Sequence, residues 1–205
     1  PIEAYQIDQV YFVSDGNHRV SVAKQLGATE IQAYVTEVHS RVPLTPEIRP
    51  ESLILKAEYA EFLENTNIDR SRPEADFSVT VPGQYIVIEE HIAVHRYFMG
   101  IEQQKEISIP EAAADWYDSV FMPVVTIIRE RGLLYDFPNR TEADLYLWIA
   151  DHRAALEEDL KGQVDVTSAA DDLADQHSQR ADRVIARIGS KVIETLVPDV
   201  FESGP

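Results

Sequence analysis

The sequence predicts an α+β protein: a small mixed sheet carrying one helix, followed by a mainly α-helical region. Three observations carry that expectation. The first forty residues read as strand, turn, helix, strand, with apolar runs broken at Asp15-Gly16 and at Gly27. The stretch 42–50 then holds Pro43, Pro46 and Pro50, which reads as a linker. Beyond it, apolar residues recur mostly at helical spacing.

Taken in order, Val10-Tyr11-Phe12-Val13 is β-branched and aromatic and predicts a strand. A helix follows from Asn17 to Leu26, with Val20, Val22, Ala23 and Leu26 as its apolar positions and Gly27 ending it. Residues 31–38 alternate as a second strand. After the linker, a helix is expected from Pro50 to Glu64, and a short strand from Phe77 to Val81, ended by Pro82-Gly83. A long helical pattern covers Tyr85 to Glu106. Ser108 caps the next helix, with Pro110 near its start, and this one is expected to run to Arg131. Thr141 opens another, with Asp144 three residues on completing a variant of the capping box. A last helix is expected from Ser168 to about Ile188. The division that follows is a domain over 1–42, a linker over 43–50 and a helical region over 51–205, with no internal repeat.

Composition limits the function classes. The 205 residues are 44% hydrophobic and 26% charged, as expected of a globular chain. Eighteen Lys and Arg against 36 Asp and Glu give a net charge of -18. Such a surface repels phosphate backbones at long range, so nucleic-acid binding is not expected. The acidity is uneven: residues 1–50 hold six acids and four bases, close to neutrality. Zero cysteines exclude disulfides, Cys-based metal sites and thiol catalysis. No apolar run approaches the ~18 residues of a membrane span, so no membrane partner is expected, and a cytoplasmic setting is. The chain opens at Pro1 rather than Met, as a processed chain or a fragment does.

The segment with chemistry in it is Tyr11 to Ala23. A strand leads through a tight glycine turn that delivers polar residues to the first turn of a helix. Free backbone N–H groups and the helix dipole make such an end an anion site, most naturally for phosphate. Gly16 lets backbone approach a ligand, Asp15 or Asn17 can cap, and Arg19 supplies a forked cation. His18 can donate to a phosphate or move a proton. The plainer reading is a capped helix with a surface His and Arg.

Asp15-Gly16-Asn17-His18-Arg19, the Ala/Val helix after it, Gly27 and the strand over 31–38 resemble the ParB/sulfiredoxin-like domain of the ParB-type nuclease superfamily. That group includes partition proteins that use CTP, sulfiredoxins that use ATP, and free serine kinases that use ADP or ATP. The resemblance covers residues 1 to about 40. It implies a phosphate site at Asp15, Gly16, Asn17, His18, Arg19 and Ser21, with Mg as counter-ion to ATP, ADP or CTP. It also implies that the sheet is N-terminally truncated, because family members carry a longer segment before this box. Sulfinic acid reduction is not expected, since Asn17 stands where that chemistry needs cysteine. The rest of the chain, through Glu90–Gly100, Asp115–Asp118 and Phe137–Trp148, is similar to a bacterial family that joins a ParB-like front to a helical rear.

Other constellations have plainer readings. His91 and His95 stand at i, i+4, a two-ligand metal spacing, but no third ligand completes a recognised motif and helix packing is the default. Arg140, just before a helix start, holds an anion or locks its loop. Asp151-His152-Arg153 reads as a solvated face, and Asp171, Asp172 and Asp175 suit a helix start. Trp116, Tyr117, Phe121, Tyr146 and Trp148 read as core. The leading expectation is thus a nucleotide-binding protein, with phosphoryl transfer or nucleotide hydrolysis as the reaction class if it is an enzyme. A DNA-associated regulator or a non-catalytic interaction scaffold are the alternatives, and pairing of long helices makes a homodimer conceivable.

Overall fold

Six residues at the start of the chain, Ile2–Ile7, form the central strand of a three-stranded sheet in the computed structural model, which describes residues 1–46 and 48–178. This strand, β1, was not legible as one: its inward residues are only Ile2 and Ala4, and alanine is a poor strand former. β2 (Val10–Asp15) pairs with it antiparallel, Ala4 facing Val13, and β3 (Ala33–Val38) pairs with it parallel, Ala4 facing Val35. The sheet order is therefore β2-β1-β3, mixed as expected. The expected helix is α1 (Asn17–Gln25), which carries the chain from β2 towards β3.

The chain divides into two compact units, Pro1–Asn65 and one beginning at Thr66. The proline-rich stretch expected as a linker lies inside the first unit. Val42 and Leu44 are buried there, as are Phe62 and Leu63 of α2 (Pro50–Thr66). Polar contacts fasten it: the Leu44 N–H donates to the Asp8 carboxylate at 2.9 Å in the β1–β2 turn, and Arg41 donates to the Leu63 carbonyl at 2.6 Å. A proline-rich segment acts as a spacer only where its neighbours stay solvated, and these do not.

The regular elements of the second unit are all helices among the described residues. The one-turn helix α3 (Ile68–Ser71) is followed by an extended segment, then by α4 (Gln84–Gln103). The strand expected over 77–81 is not present. Phe77 and Val79 do alternate inward, at 0% and 7% exposure, but the Thr80 N–H donates to the Asp144 carboxylate at 3.0 Å instead of to a neighbouring strand. Alternation reported burial here, not pairing.

The helix expected from Ser108 to Arg131 runs through, with a widened turn in its middle. α5 (Ile109–Trp116) passes into a π-helical turn, Tyr117–Phe121, and then into α6 (Met122–Glu130). Pro123 has no N–H to offer the carbonyl four residues back, so the regular ladder is interrupted just where the π turn gives way to α6. The turn leaves Tyr117 and Phe121 both buried. With Phe77, Trp116 and Tyr146 they form an aromatic core: Phe77 lies 5.0 Å from Phe121, Trp116 5.3 Å from Phe121, and Phe121 5.1 Å from Tyr146.

After the short α7 (Leu133–Asp136), α8 (Glu142–Leu160) starts at the expected capping box. The Asp144 N–H donates to Thr141 Oγ1 at 3.1 Å, and the Thr141 N–H donates back to the Asp144 carboxylate at 3.0 Å. α9 (Val166–His177) is capped by Asp165, whose carboxylate accepts from the Ser168 N–H at 3.0 Å; the helix expected to run on to Ile188 ends at His177, where Ser178 turns extended at φ -61° and ψ 140°, and positions 179–188 lie outside the described residues.

Candidate functional site

Gly16 sits between β2 and α1 in the left-handed region, at φ 96° and ψ 21°. A Cβ there would lie 2.6 Å from Ile2 Cγ2, so the position excludes side chains by both conformation and contact. Gly16 itself is the residue before the helix, and no side chain caps it; the expected cap from Asp15 or Asn17 is not made. The first-turn N–H groups are thus left for solvent or an anion. Asn17, His18 and Arg19 occupy that turn and are exposed, while Ser21 stands a turn further along, also exposed. Arg19 folds back over the turn. It donates to the Asp15 carboxylate at 2.6 Å and to the Pro1 carbonyl, and its side chain remains half exposed.

The histidine pair of α4 is split between different partners. His91 Nδ1 lies 2.8 Å from the Tyr146 hydroxyl, and His95 Nε2 lies 2.7 Å from the Asp115 carboxylate. Among the described residues no group of three or more His, Asp or Glu side chains could hold a metal ion. Burial holds His91 below the usual imidazole range, although Asp151 and Glu90 act against it. Burial also pushes the Tyr146 phenol up to about 12. This cluster is the interior of a packed unit, with its phenol protonated at neutral pH.

A cavity of about 650 Å³ opens in the helical unit between the Phe137–Arg140 turn, α8 and α9. Its volume falls within the range typical of small-molecule sites, ~300–1,000 Å³. Arg140, one of the residues expected to lock its loop, does so and also borders the cavity. Its Nη1 donates to Thr80 Oγ1 at 2.7 Å, and Thr80 in turn donates to the Asp144 carboxylate at 2.8 Å. The guanidinium carbon lies 4.6 Å above the Trp148 ring, whose edge meets Phe137 at 5.7 Å. Asp144 therefore caps α8 and anchors Thr80, and through Thr80 it holds Arg140 over Trp148.

Facing that arginine, α8 contributes Trp148, Asp151 and His152, which share a helix face at i, i+3 and i+4. His152 Nε2 is 2.7 Å from the Asp172 carboxylate of α9, and Asp172 also accepts from Gln176 Nε2 at 2.7 Å. His177 stands edge-on to His152 at 6.5 Å. Sequence reasoning read Asp151-His152-Arg153 as a solvated face and Asp172 as a helix-dipole partner. It missed their union because the two residues meet only across the turn joining α8 to α9. That turn is made at Lys161, φ 51°, and Gly162.

Comparison of the chain with protein-family models, with curated proteins and with solved structures returns no match. Among the described residues no helix is long and apolar enough to cross a membrane.

Proposed function

We propose that the first unit binds the phosphate group of a nucleotide at the Asp15–Arg19 turn. The observation carrying this reading is the left-handed Gly16, which starts α1 with no side-chain cap and places the half-exposed Arg19 beside the open first turn. Backbone N–H groups, helix dipole and a forked cation then converge on one small region. The ParB/sulfiredoxin-like resemblance of the same five residues points to the same ligand class. Asp15 supplies one exposed carboxylate, and magnesium bound to phosphates commonly takes only one or two from the protein. In the phosphate-bound form Arg19 turns from Asp15 to the phosphate, freeing that carboxylate for the cation. Phosphoryl transfer or nucleotide hydrolysis is the reaction class suited to such a site, by positioning and charge neutralisation.

The net charge of -18 disfavours the DNA-associated reading. The test is thermal-shift and calorimetric titration with ATP, ADP, CTP and GTP, each with magnesium. One nucleotide is expected to stabilise the protein, and Arg19→Ala to weaken its binding roughly ten- to a hundredfold, the loss of a charge-assisted donor. Melting of that variant should stay near wild type, because an exposed pair contributes about 0–1 kcal/mol. Unchanged affinity in the variant, or no stabilisation by any of the four, would leave the scaffold reading in place.

A further inference from the structure

We infer that the cavity between the Phe137–Arg140 turn, α8 and α9 is a binding site for a small zwitterion: an amine-bearing carboxylic acid with an apolar body, of the amino-acid class. The site lies in the second unit and does not rest on the nucleotide reading. Its first element is Arg140. In a chain of net charge -18, Arg129 of α6 pairs with Glu142 and Arg153 of α8 with Glu157, whereas among the described residues Arg140 has no carboxylate partner. Its partners are a hydroxyl and an indole face, which fix the guanidinium and leave its charge and remaining donors uncompensated. A cation held still in this way loses little freedom when a carboxylate arrives, and its fork matches two carboxylate oxygens.

The second element is the opposite charge. Asp151, exposed at the cavity lining, makes no hydrogen bond to a described residue, so it can receive an ammonium group. Asp136 also borders the cavity, but it is 2% exposed and already accepts from Ser178 Oγ at 2.6 Å. One available cation and one available anion suit a ligand carrying both charges. A phosphate dianion would instead meet Asp151 and Asp136 with like charge. The third element is apolar: Phe137, Trp148 and Leu173 form walls for a hydrophobic body. The fourth is His152, whose ring is oriented by Asp172 through Nε2. Its other ring nitrogen is then presented in a fixed direction, as a carboxylate–histidine pair does in many polar sites.

The experiment is isothermal titration of the full chain with L-phenylalanine and L-leucine, with phenylalaninamide, with 3-phenylpropionate and with inorganic phosphate. At least one amino acid is expected to bind, and both the amide and the deaminated acid to bind at least tenfold more weakly. Arg140→Gln should lower amino-acid affinity tenfold or more. Asp151→Asn should lower it to that of the deaminated acid while leaving 3-phenylpropionate binding unchanged. Because Arg140 also holds Thr80, its variant is checked by circular dichroism; Asp151 is exposed, so the second variant decides the matter if the first fails to fold. No binding by either amino acid in the millimolar range overturns the proposal. So does phosphate binding more tightly than both, or an Asp151→Asn variant that still prefers the amino acid over the deaminated acid as strongly as wild type does.

Discussion

The two units use apolar residues in opposite ways. In the first, α1 buries none of its side chains, and every residue of β3 is exposed; Leu26 stands 80% and Tyr34 70% exposed. Its buried apolar groups come instead from Ile2, Ala4, the proline-rich segment and α2. In the second, Phe77, Trp116 and Phe121 are 0–2% exposed and stack on one another. The helical spacing of Val20, Ala23 and Leu26 was sound evidence for a helix but not for a core. Periodicity specifies which face is apolar, and burial needs a second surface to meet it.

The largest expected effect tests that contrast directly. Phe77→Ala removes a fully buried ring from the centre of the aromatic cluster and should cost about 3–5 kcal/mol. Leu26→Ser, an equally apolar residue lost from the first unit, should change stability by no more than about 0.5 kcal/mol, as exposed substitutions do. Urea denaturation of both variants measures the difference. Similar losses would mean that Leu26 is buried in solution.

How much of this was readable follows the same physics. Helices α4 and α8 and the Thr141 capping box were legible because they rest on local signals: caps, turns and spacing. The Phe77–Val81 segment was misread because alternate burial in an extended chain looks like a strand until the hydrogen bonds are traced, and those of Thr80 go to a side chain 64 residues away. β1 was missed because its inward residues are only Ile2 and Ala4, and its parallel partner β3 is remote in sequence. At the glycine turn the sequence indicated the geometry of Gly16 but not the return of Arg19 to Asp15 and Pro1. At the helical cavity, Arg140 was noticed and His152 was set aside, since its pairing with Asp172 exists only once α8 and α9 lie side by side.

An intermediate effect separates conformation from ligand at the turn. Gly16→Ala places a Cβ into a left-handed backbone and 2.6 Å from Ile2 Cγ2. The strain should cost roughly 1–3 kcal/mol even without nucleotide. Asn17→Ala, in the exposed first turn, should leave stability within about 0.5 kcal/mol. If both variants melt like wild type, the turn is not held as described.

The smallest effect concerns acid. His91 is the histidine that burial holds below its ordinary range, and it sits in the second unit against Tyr146, with Asp151 and Glu90 as nearby charges. In the unfolded chain it should titrate near the ordinary value of about 6.5. Between its folded value and that one, the unfolded state binds more protons, so stability rises with pH in this window. Lowering the pH through about 6.5 should therefore destabilise the helical unit, and the loss should level off below the folded value. His91→Gln removes this titration while keeping a group able to hydrogen-bond the phenol. The urea midpoint of the variant should fall less than that of wild type between pH 7.5 and pH 5. Subtracting the two curves cancels the other histidines, including the exposed His18 and His39 of the first unit. Identical acid slopes would place the acid sensitivity elsewhere and remove His91 as its source.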